Sequence, residues 1–260
     1  MYGLPILGLV AWWEHRRFGP LPRSGVRLAA LAGLFFAADL LFWHHAIEAV
    51  GAGLATVLGN LQVLVVGFVA WLVLGERPSR SVLVALPVVV AGVVLISGVV
   101  GAGAYGENPP LGVLLGVLTA LAYAGYLLVI RHGGRDLRRP AGPVAVATLS
   151  TALVAGLVGA PLGELDVVPS WPSHGWLLAY GVTSQSLGYL LISLSLPRLP
   201  AVLTSIILLT QPVTTVVLAM ILLAETPSVA QVAGVALVVG GIAVATLPVG
   251  WLRDRVAAAS

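Results

Sequence analysis

The 260-residue chain has no cysteine and no lysine. Without cysteine it can form no disulfide, thiolate nucleophile or cysteine-ligated metal site. Without lysine it has no Gly-x-x-x-x-Gly-Lys phosphate loop, and the zinc pattern His-Glu-x-x-His is absent too. ATP drive within the chain and the usual enzymatic readings therefore fall away, and no cofactor or metal is expected. Charge is also scarce: 9% of residues are charged, against about 25% in a soluble domain. The net charge of +3 comes entirely from arginine on the basic side. These arginines sit in connections between apolar stretches, where they orient helices in a membrane, so nucleic acid is not an expected partner. Met1 leads straight into an apolar run with no basic region before it, so no cleavable leader is expected.

What the chain has instead is long apolar sequence. Residues 49–75 carry no charged side chain. Neither do 81–106, 108–130, 140–163, 167–197, 199–224 and 226–252, while 28–47 carries only Asp39. A bilayer core of ~30 Å needs about 20 apolar residues in helix. Barrel strands would be short and alternating, which these stretches are not. The composition predicts an all-α polytopic membrane protein with the lipid bilayer as its solvent. Its spans are expected at 27–48, 50–74, 81–100, 111–130, 143–163, 174–196, 200–223 and 229–248. Met1 to Trp13 reads as a stub too short to cross. The connections leave no room for a soluble domain.

The chain also repeats itself. Gly75-Glu76-Arg77-Pro78-Ser79 matches Ala224-Glu225-Thr226-Pro227-Ser228 at an offset of 149 (225 − 76). Without a gap, the same offset pairs Gln62 with Gln211, Ala52 with Ala201, Leu54 with Leu203, Ala70 with Ala219 and Gly92 with Gly241. Loop arginine then flips between matched segments. Residues 14–27 carry four and 163–176 none; 75–80 carry two and 224–229 none. Residues 99–110 carry none and 248–259 two; 46–51 carry none and 195–200 have Arg198. Arg-rich loops stay cytoplasmic, so the halves are expected to be inverted. Inverted repeats are a transporter architecture, with substrate near the midplane. The second repeat, 108–250, holds five expected helices. The first, 1–100, is then expected to lack its opening helix and half of its second, about 40 residues, through either a start upstream of Met1, the favoured expectation, or a natural truncation.

Two stretches carry a family resemblance. Ala52-Gly53-Leu54 through Gly75-Glu76-Arg77-Pro78, and Leu199-Pro200-Ala201 through Ala224-Glu225-Thr226-Pro227, are each followed by a Gly-containing apolar helix. The sequence resembles the EamA-like branch of the drug/metabolite transporter superfamily. The resemblance implies ten helices in two five-helix repeats, both termini cytoplasmic, and export or import of small metabolites. This chain departs from it by the missing first helix, which in the family lines the central cavity. The expected function is secondary transport of a small organic metabolite or drug across the inner membrane by alternating access. A truncated, non-transporting membrane scaffold is the alternative. A homodimer is compatible with either.

Polar residues inside spans are the candidates for a substrate cavity. Asp39 stands ~18 Å into its span. An intramembrane carboxylate costs at least ~2.5 kcal/mol and marks a substrate, ion or proton path, so protons are the expected coupling ion. Trp43 lies one turn on, on the same face. Gln62 and Gln211 are repeat-matched near the middle of their spans, with Asn60 and Thr56 on one face beside Gln62. Pro212 is expected to free a carbonyl near Leu208. Tyr123 and Tyr126 share a face with Gly116 and Thr119. Ser184, Gln185, Ser186 and Tyr189 form a further cluster. Each of these also has a packing reading. His44 and Glu48 have ligand spacing but no third partner, so with His45 they read as interfacial. Glu76 and Glu225 read as caps of the helix that follows them, and Gly234, Gly240 and Gly241 as close-packing positions. Glu14, Glu76, Glu107, Glu164, Asp166 and Glu225 are expected in connections. Arg16, Arg17, Arg77, Arg80, Arg131, Arg135, Arg138, Arg139 and Arg253 are expected in the cytoplasm with the C-terminus, and loops 101–110 and 164–173 outside.

Overall fold

A computed structural model of the chain describes residues 2–96, 108–134, 136–162, 170–223 and 228–246. Every regular element among them is helical. In order they are α1 (Leu4–Phe18), α2 (Arg23–Asn60), α3 (Gln62–Leu74), α4 (Arg80–Ile96), α5 (Pro109–Gly133) and α6 (Ala141–Leu162). Then come α7 (Ser173–Tyr180), a π-helical stretch Gly181–Gly188, α8 (Tyr189–Ser195), a 3₁₀ turn Leu196–Arg198, α9 (Ala201–Ile207), α10 (Thr210–Leu223) and α11 (Val229–Thr246). Among the described residues four stretches are long and apolar enough to cross a membrane: Arg23–Gly51, Pro110–Gly133, Ala141–Pro161 and Ser173–Arg198. Shorter apolar helices cover Leu58–Leu74, Arg80–Leu95, Ala201–Thr214 and Val232–Ala245.

Four boundaries differ from expectation. The stub is a helix that continues to Phe18, so Glu14 lies in a helix and not in a connection. The break between the first two expected spans is a bend inside α2, at Gly51, with φ 79°. Only glycine takes that left-handed value cheaply. The expected spans 50–74 and 200–223 are each interrupted: at Leu61, between α2 and α3, and at Leu208–Leu209, between α9 and α10. Apolar composition does not reveal such breaks, because an interrupted helix and a continuous one bury the same residues.

The chain divides into two compact units. The first comprises Met1–Phe42 and Leu121–Leu199. Lipid tails give no hydrophobic drive for helix association, so small residues and polar side chains must hold the helices. At Gly33 of α2, a Cβ would stand 2.3 Å from the Ala147 carbonyl oxygen of α6. Beside that contact the Ser150 hydroxyl donates to the Ala30 carbonyl (3.0 Å), and Thr151 donates to the Gly33 carbonyl (2.9 Å). Gly125 of α5 admits the Phe35 ring, where a Cβ would be 2.7 Å from Cδ1. Arg131 donates to the Leu196 and Leu199 carbonyls at 3.0 and 3.1 Å, satisfying the end of the helix that α8 closes.

The second unit comprises Trp43–Ala120 and Pro200–Ser260. Ala46, Val50 and Ala55 form one small buried cluster in it with Ile47 and Leu115. Gly112 and Gly116 let α5 approach α2, since a Cβ would meet Val50 at 2.2 Å and Leu58 at 2.5 Å. α4 packs along α11, and α3 against α9. In the α4–α11 contact, a Cβ on Gly92 would meet Val238 Cγ2 at 2.7 Å and the Gly234 carbonyl at 2.8 Å. A Cβ on Gly241 would meet Val89 Cγ1 at 2.4 Å and the Ala85 carbonyl at 3.5 Å. Gly240 faces open space, so of these two adjacent glycines only Gly241 has the close-packing role.

Candidate functional site

In the first unit, α2, α5 and α8 bring four aromatic rings together. Tyr126 is central: its ring lies 5.0 Å from Phe36, 6.0 Å from Tyr123 and 5.8 Å from Tyr189, and Phe36 lies 5.1 Å from Tyr189. Such spacings are those of favourable ring pairs. Phe36 and Tyr126 are buried; Tyr123 and Tyr189 are half-buried. Asp39 follows Phe36 by three positions on α2, so it continues the same helix face, half-buried and within electrostatic reach of Tyr189. The arrangement is an aromatic wall with one carboxylate beside it. Phe36 is the member that sequence reading missed. Its spacing to Asp39 was the available signal, but phenylalanine in an apolar span carries no polar flag.

Two further members of the serine–glutamine cluster hydrogen-bond within the protein. Gln185 lies in the π-helical stretch and donates from Nε2 to the Thr148 hydroxyl of α6 at 3.1 Å. Ser186 shares its proton between the Gly181 carbonyl (2.8 Å) and the Gly3 carbonyl (3.2 Å). π-helical turns leave backbone acceptors without helical donors, and Ser186 supplies one.

In the second unit, both matched glutamines fall at a helix break. Gln62 opens α3 and Gln211 is the second residue of α10. Their surroundings differ: Gln62 is 2% exposed, whereas Gln211 is exposed. Among the described residues, Gln62 Oε1 and the Thr119 hydroxyl are buried oxygens without a hydrogen-bond partner. Each such group costs about 1–3 kcal/mol unless something fills its need. Asn60 closes its own helix end, donating to the Thr56 carbonyl at 2.8 Å. The Leu208 carbonyl expected to be free accepts from the Gln211 N–H at 3.0 Å, because Pro212 sits in the first turn of α10, where its missing N–H disrupts nothing. Trp43 is 41% exposed.

Glu14 and Glu76 act as helix caps. Glu14 is buried, and its two oxygens accept from the Ala141 and Gly142 N–H groups at 3.0 and 2.9 Å. These are orphan donors of the first turn of α6, so the acid both satisfies them and complements the helix dipole. Burial raises the Glu14 carboxyl above its ordinary range, against the opposing pull of those two N–H groups and of Arg139. Arg139 also ties down the α1–α2 turn, donating to the Gly19 and Pro20 carbonyls at 3.1 and 2.7 Å. The Arg139 hydrogen bond to Asp136 holds that carboxyl below the usual range, with Arg138 assisting. Glu76 accepts from the Ala201 N–H at 2.9 Å. The cap is therefore real but serves α9 and not the next helix, α4, whose first turn is capped by Ser79 through Val82 N–H at 3.3 Å.

His44 and His45 both meet Glu48, at 3.5 and 3.1 Å, on an exposed face. Among the described residues no three metal-type side chains converge. Glu107, Glu164, Asp166, Glu225, Arg135 and Arg253 lie outside the described residues, as do 101–107 and 164–169 of the expected outer loops.

Apolar helices held by glycine contacts and polar clasps, with their outer faces in hydrocarbon side chains, define an integral membrane protein of the multi-helix class. Comparison with known proteins makes this specific. The EamA-like transporter family model matches residues 1–98 and 110–247, nearly the whole chain. The chain belongs to the EamA-like transporter family, within the drug/metabolite transporter superfamily. A solved structure, titled only as the crystal structure of a protein, is similar in fold. It has a TM-score of 0.75 and 22% identity, over 94% of this chain and 85% of its own. No curated protein matches.

Proposed function

We propose that the protein is a secondary transporter that moves a small organic metabolite or drug across the inner membrane by alternating access between two inverted repeats, 1–100 and 108–250. The observation that carries this reading is the contact of α4 with α11. Gly92 packs on Val238 and Gly234, and Gly241 packs on Val89 and Ala85. Shifting 92, 89 and 85 by the sequence offset gives 241, 238 and 234. The contact is thus reciprocal, as a pseudo-twofold axis between repeats requires. The helix bounds agree: α4 begins at Arg80 and α11 at Val229, α3 ends at Leu74 and α10 at Leu223, each pair related by the same offset.

Broken helices are a further transporter feature, where half-helix ends and unwound backbone meet solute near the midplane. The interruptions at Leu61 and Leu208–Leu209 are of that kind, and Gln62 and Gln211 stand beside them. The orientation has independent support from clasps between connections. Glu14 joins the start of α6, Arg131 joins 196–199, Glu76 joins Ala201, and the Asn108 N–H donates to the Ala49 carbonyl at 3.3 Å. The first three link ends that arginine assigns to the cytoplasm; the last links ends assigned outside.

In this reading Asp39 is the proton-coupling group. Asp39→Asn keeps shape and hydrogen bonding but removes titration, and is expected to abolish proton-gradient-driven accumulation in vesicles while leaving the protein folded. Substrates come from a screen of organic solutes against wild-type vesicles. Undiminished accumulation by the Asn variant returns Asp39 to a structural role, and no gradient-dependent solute movement by the wild type favours the scaffold.

A further inference from the structure

The recess between α1, the start of α2 and the start of α6 is used by nothing described so far. It measures ≈ 450 Å³, within the ~300–1,000 Å³ usual for small-molecule sites. Its walls include Gly8, Ala11 and Trp12 of α1, Val26 of α2, and Gly142 and Ala145 of α6. Small side chains make the space: α1 and α6 are pinned at one end by Glu14 on Ala141 and Gly142, and the turn is pinned by Arg139 on Gly19 and Pro20. A Cβ on Gly8 would meet nothing within 4 Å.

The rim of the recess has a different chemistry from its walls. His15 and Arg139 line it, and the Arg16 guanidinium lies 4.9 Å over the Trp12 ring. Arg17 lies 5.3 Å over Trp13, and both tryptophans are about half exposed. Tryptophan and arginine together mark the headgroup level of a bilayer. Of the two acids nearby, Glu14 spends both oxygens on backbone N–H groups and Asp136 pairs with Arg138 and Arg139. Arg139 lines the rim, and Arg16, on the lining residue Trp12, has no acid partner among the described ion pairs, so the rim carries positive charge. An apolar slot that opens at headgroup depth beneath a cationic aromatic rim is complementary to one amphiphile: an apolar chain with an anionic head. Basic pockets between membrane helices bind lipid headgroups by this combination.

We infer that this recess is a binding site for an anionic phospholipid, one acyl chain lying between α1 and α6 and the phosphate at Arg16 and His15. The test uses the full chain in mild detergent. Phosphatidylglycerol or phosphatidylcholine of matched chains is titrated, retained lipid is counted by native mass spectrometry, and the thermal midpoint is followed. One phosphatidylglycerol is expected to stay bound and raise the midpoint, with phosphatidylcholine doing neither. Arg16→Gln is expected to weaken phosphatidylglycerol about five-fold, the worth of one basic side chain at an anionic lipid surface. Gly8→Leu fills the slot and is expected to abolish retention without lowering the lipid-free midpoint. Equal retention of the two lipids, or phosphatidylglycerol binding unchanged in both variants, overturns the inference. Should Gly8→Leu destabilise the lipid-free protein, unchanged binding by Arg16→Gln overturns it alone. The readout is lipid retention, so the result is independent of whether the protein transports.

Discussion

Adding one methyl on either side of the α4–α11 contact separates a tolerant glycine from an intolerant one. At Gly241 the new Cβ would be 2.4 Å from Val89 Cγ1, but its next neighbours, the Ala85 carbonyl and Val89 nitrogen, are at an ordinary 3.5 Å. The clash is with one side-chain methyl. At Gly92 the Cβ would be 2.7 Å from Val238 Cγ2, and also 2.8 Å from the Gly234 carbonyl and 3.0 Å from the Val238 nitrogen. Two of those three atoms are backbone, which moves only if the helices part. Overpacking costs about 1–3 kcal/mol, and helix propensity returns about 1 kcal/mol on replacing glycine by alanine. Gly241→Ala is expected to cost up to ~2 kcal/mol net, and Val89→Ala to relieve it with a coupling energy of ~1–2 kcal/mol. Gly92→Ala is expected to cost more, and Val238→Ala to relieve less than ~0.5 kcal/mol. Both double-mutant cycles are measured by unfolding in mixed micelles followed by circular dichroism. Equal coupling in the two cycles would refute the assignment of one clash to side chain and the other to backbone.

Three further expectations concern other parts of the chain. Gln62→Leu removes a buried oxygen without a partner, so unfolding in mixed micelles should show a gain of about 1 kcal/mol, while uptake by the same variant falls if that oxygen meets substrate; a loss of stability contradicts the burial argument. The Asp136 carboxyl is held low by arginine, so its contribution to stability is present above the ordinary carboxylate pKa and lost as pH falls through the depressed value. Asp136→Asn should flatten that acid limb of the pH–stability curve, and an unchanged limb counts against the pairing. Because the chain has no cysteine, Leu137→Cys can be labelled alone; modification only from the cytoplasmic side is expected, and labelling only from outside reverses the topology.

The sequence made the helical class legible because a membrane forces it: apolar runs of this length have only one way to satisfy their backbone. The offset that paired Glu76 with Glu225 also paired Gly92 with Gly241, and both glycines lie in the α4–α11 contact, Gly92 on Val238 and Gly241 on Val89. Partners were harder to foresee. Glu76 was recognisable as a cap, but which helix it caps depends on a contact 125 positions away. Glu14 looked like loop sequence because it stands before Arg16 and Arg17, while its two backbone donors lie in α6. The partner of Gln185 is Thr148, a residue with no polar signal beyond one hydroxyl. Tyr123, Tyr126 and Tyr189 were selected as polar aromatics, and the wall they form needed Phe36 to complete it.

The π-helical stretch at Gly181–Gly188 sets a wide turn into an otherwise α-helical segment. A wide turn differs from an α turn by one residue, so exchanging one carbonyl acceptor for its neighbour moves the wide turn along the chain without unravelling it. Each such step turns the residue that is passed by about 100°, the angle of one residue, and leaves the helix farther on in place. Next in its path is α8, with Tyr189 at its first position. The Ser186 hydroxyl, bonded to the Gly181 and Gly3 carbonyls, ties the wide turn to this register. A wide turn one step farther on would present the Tyr189 ring to a different neighbour.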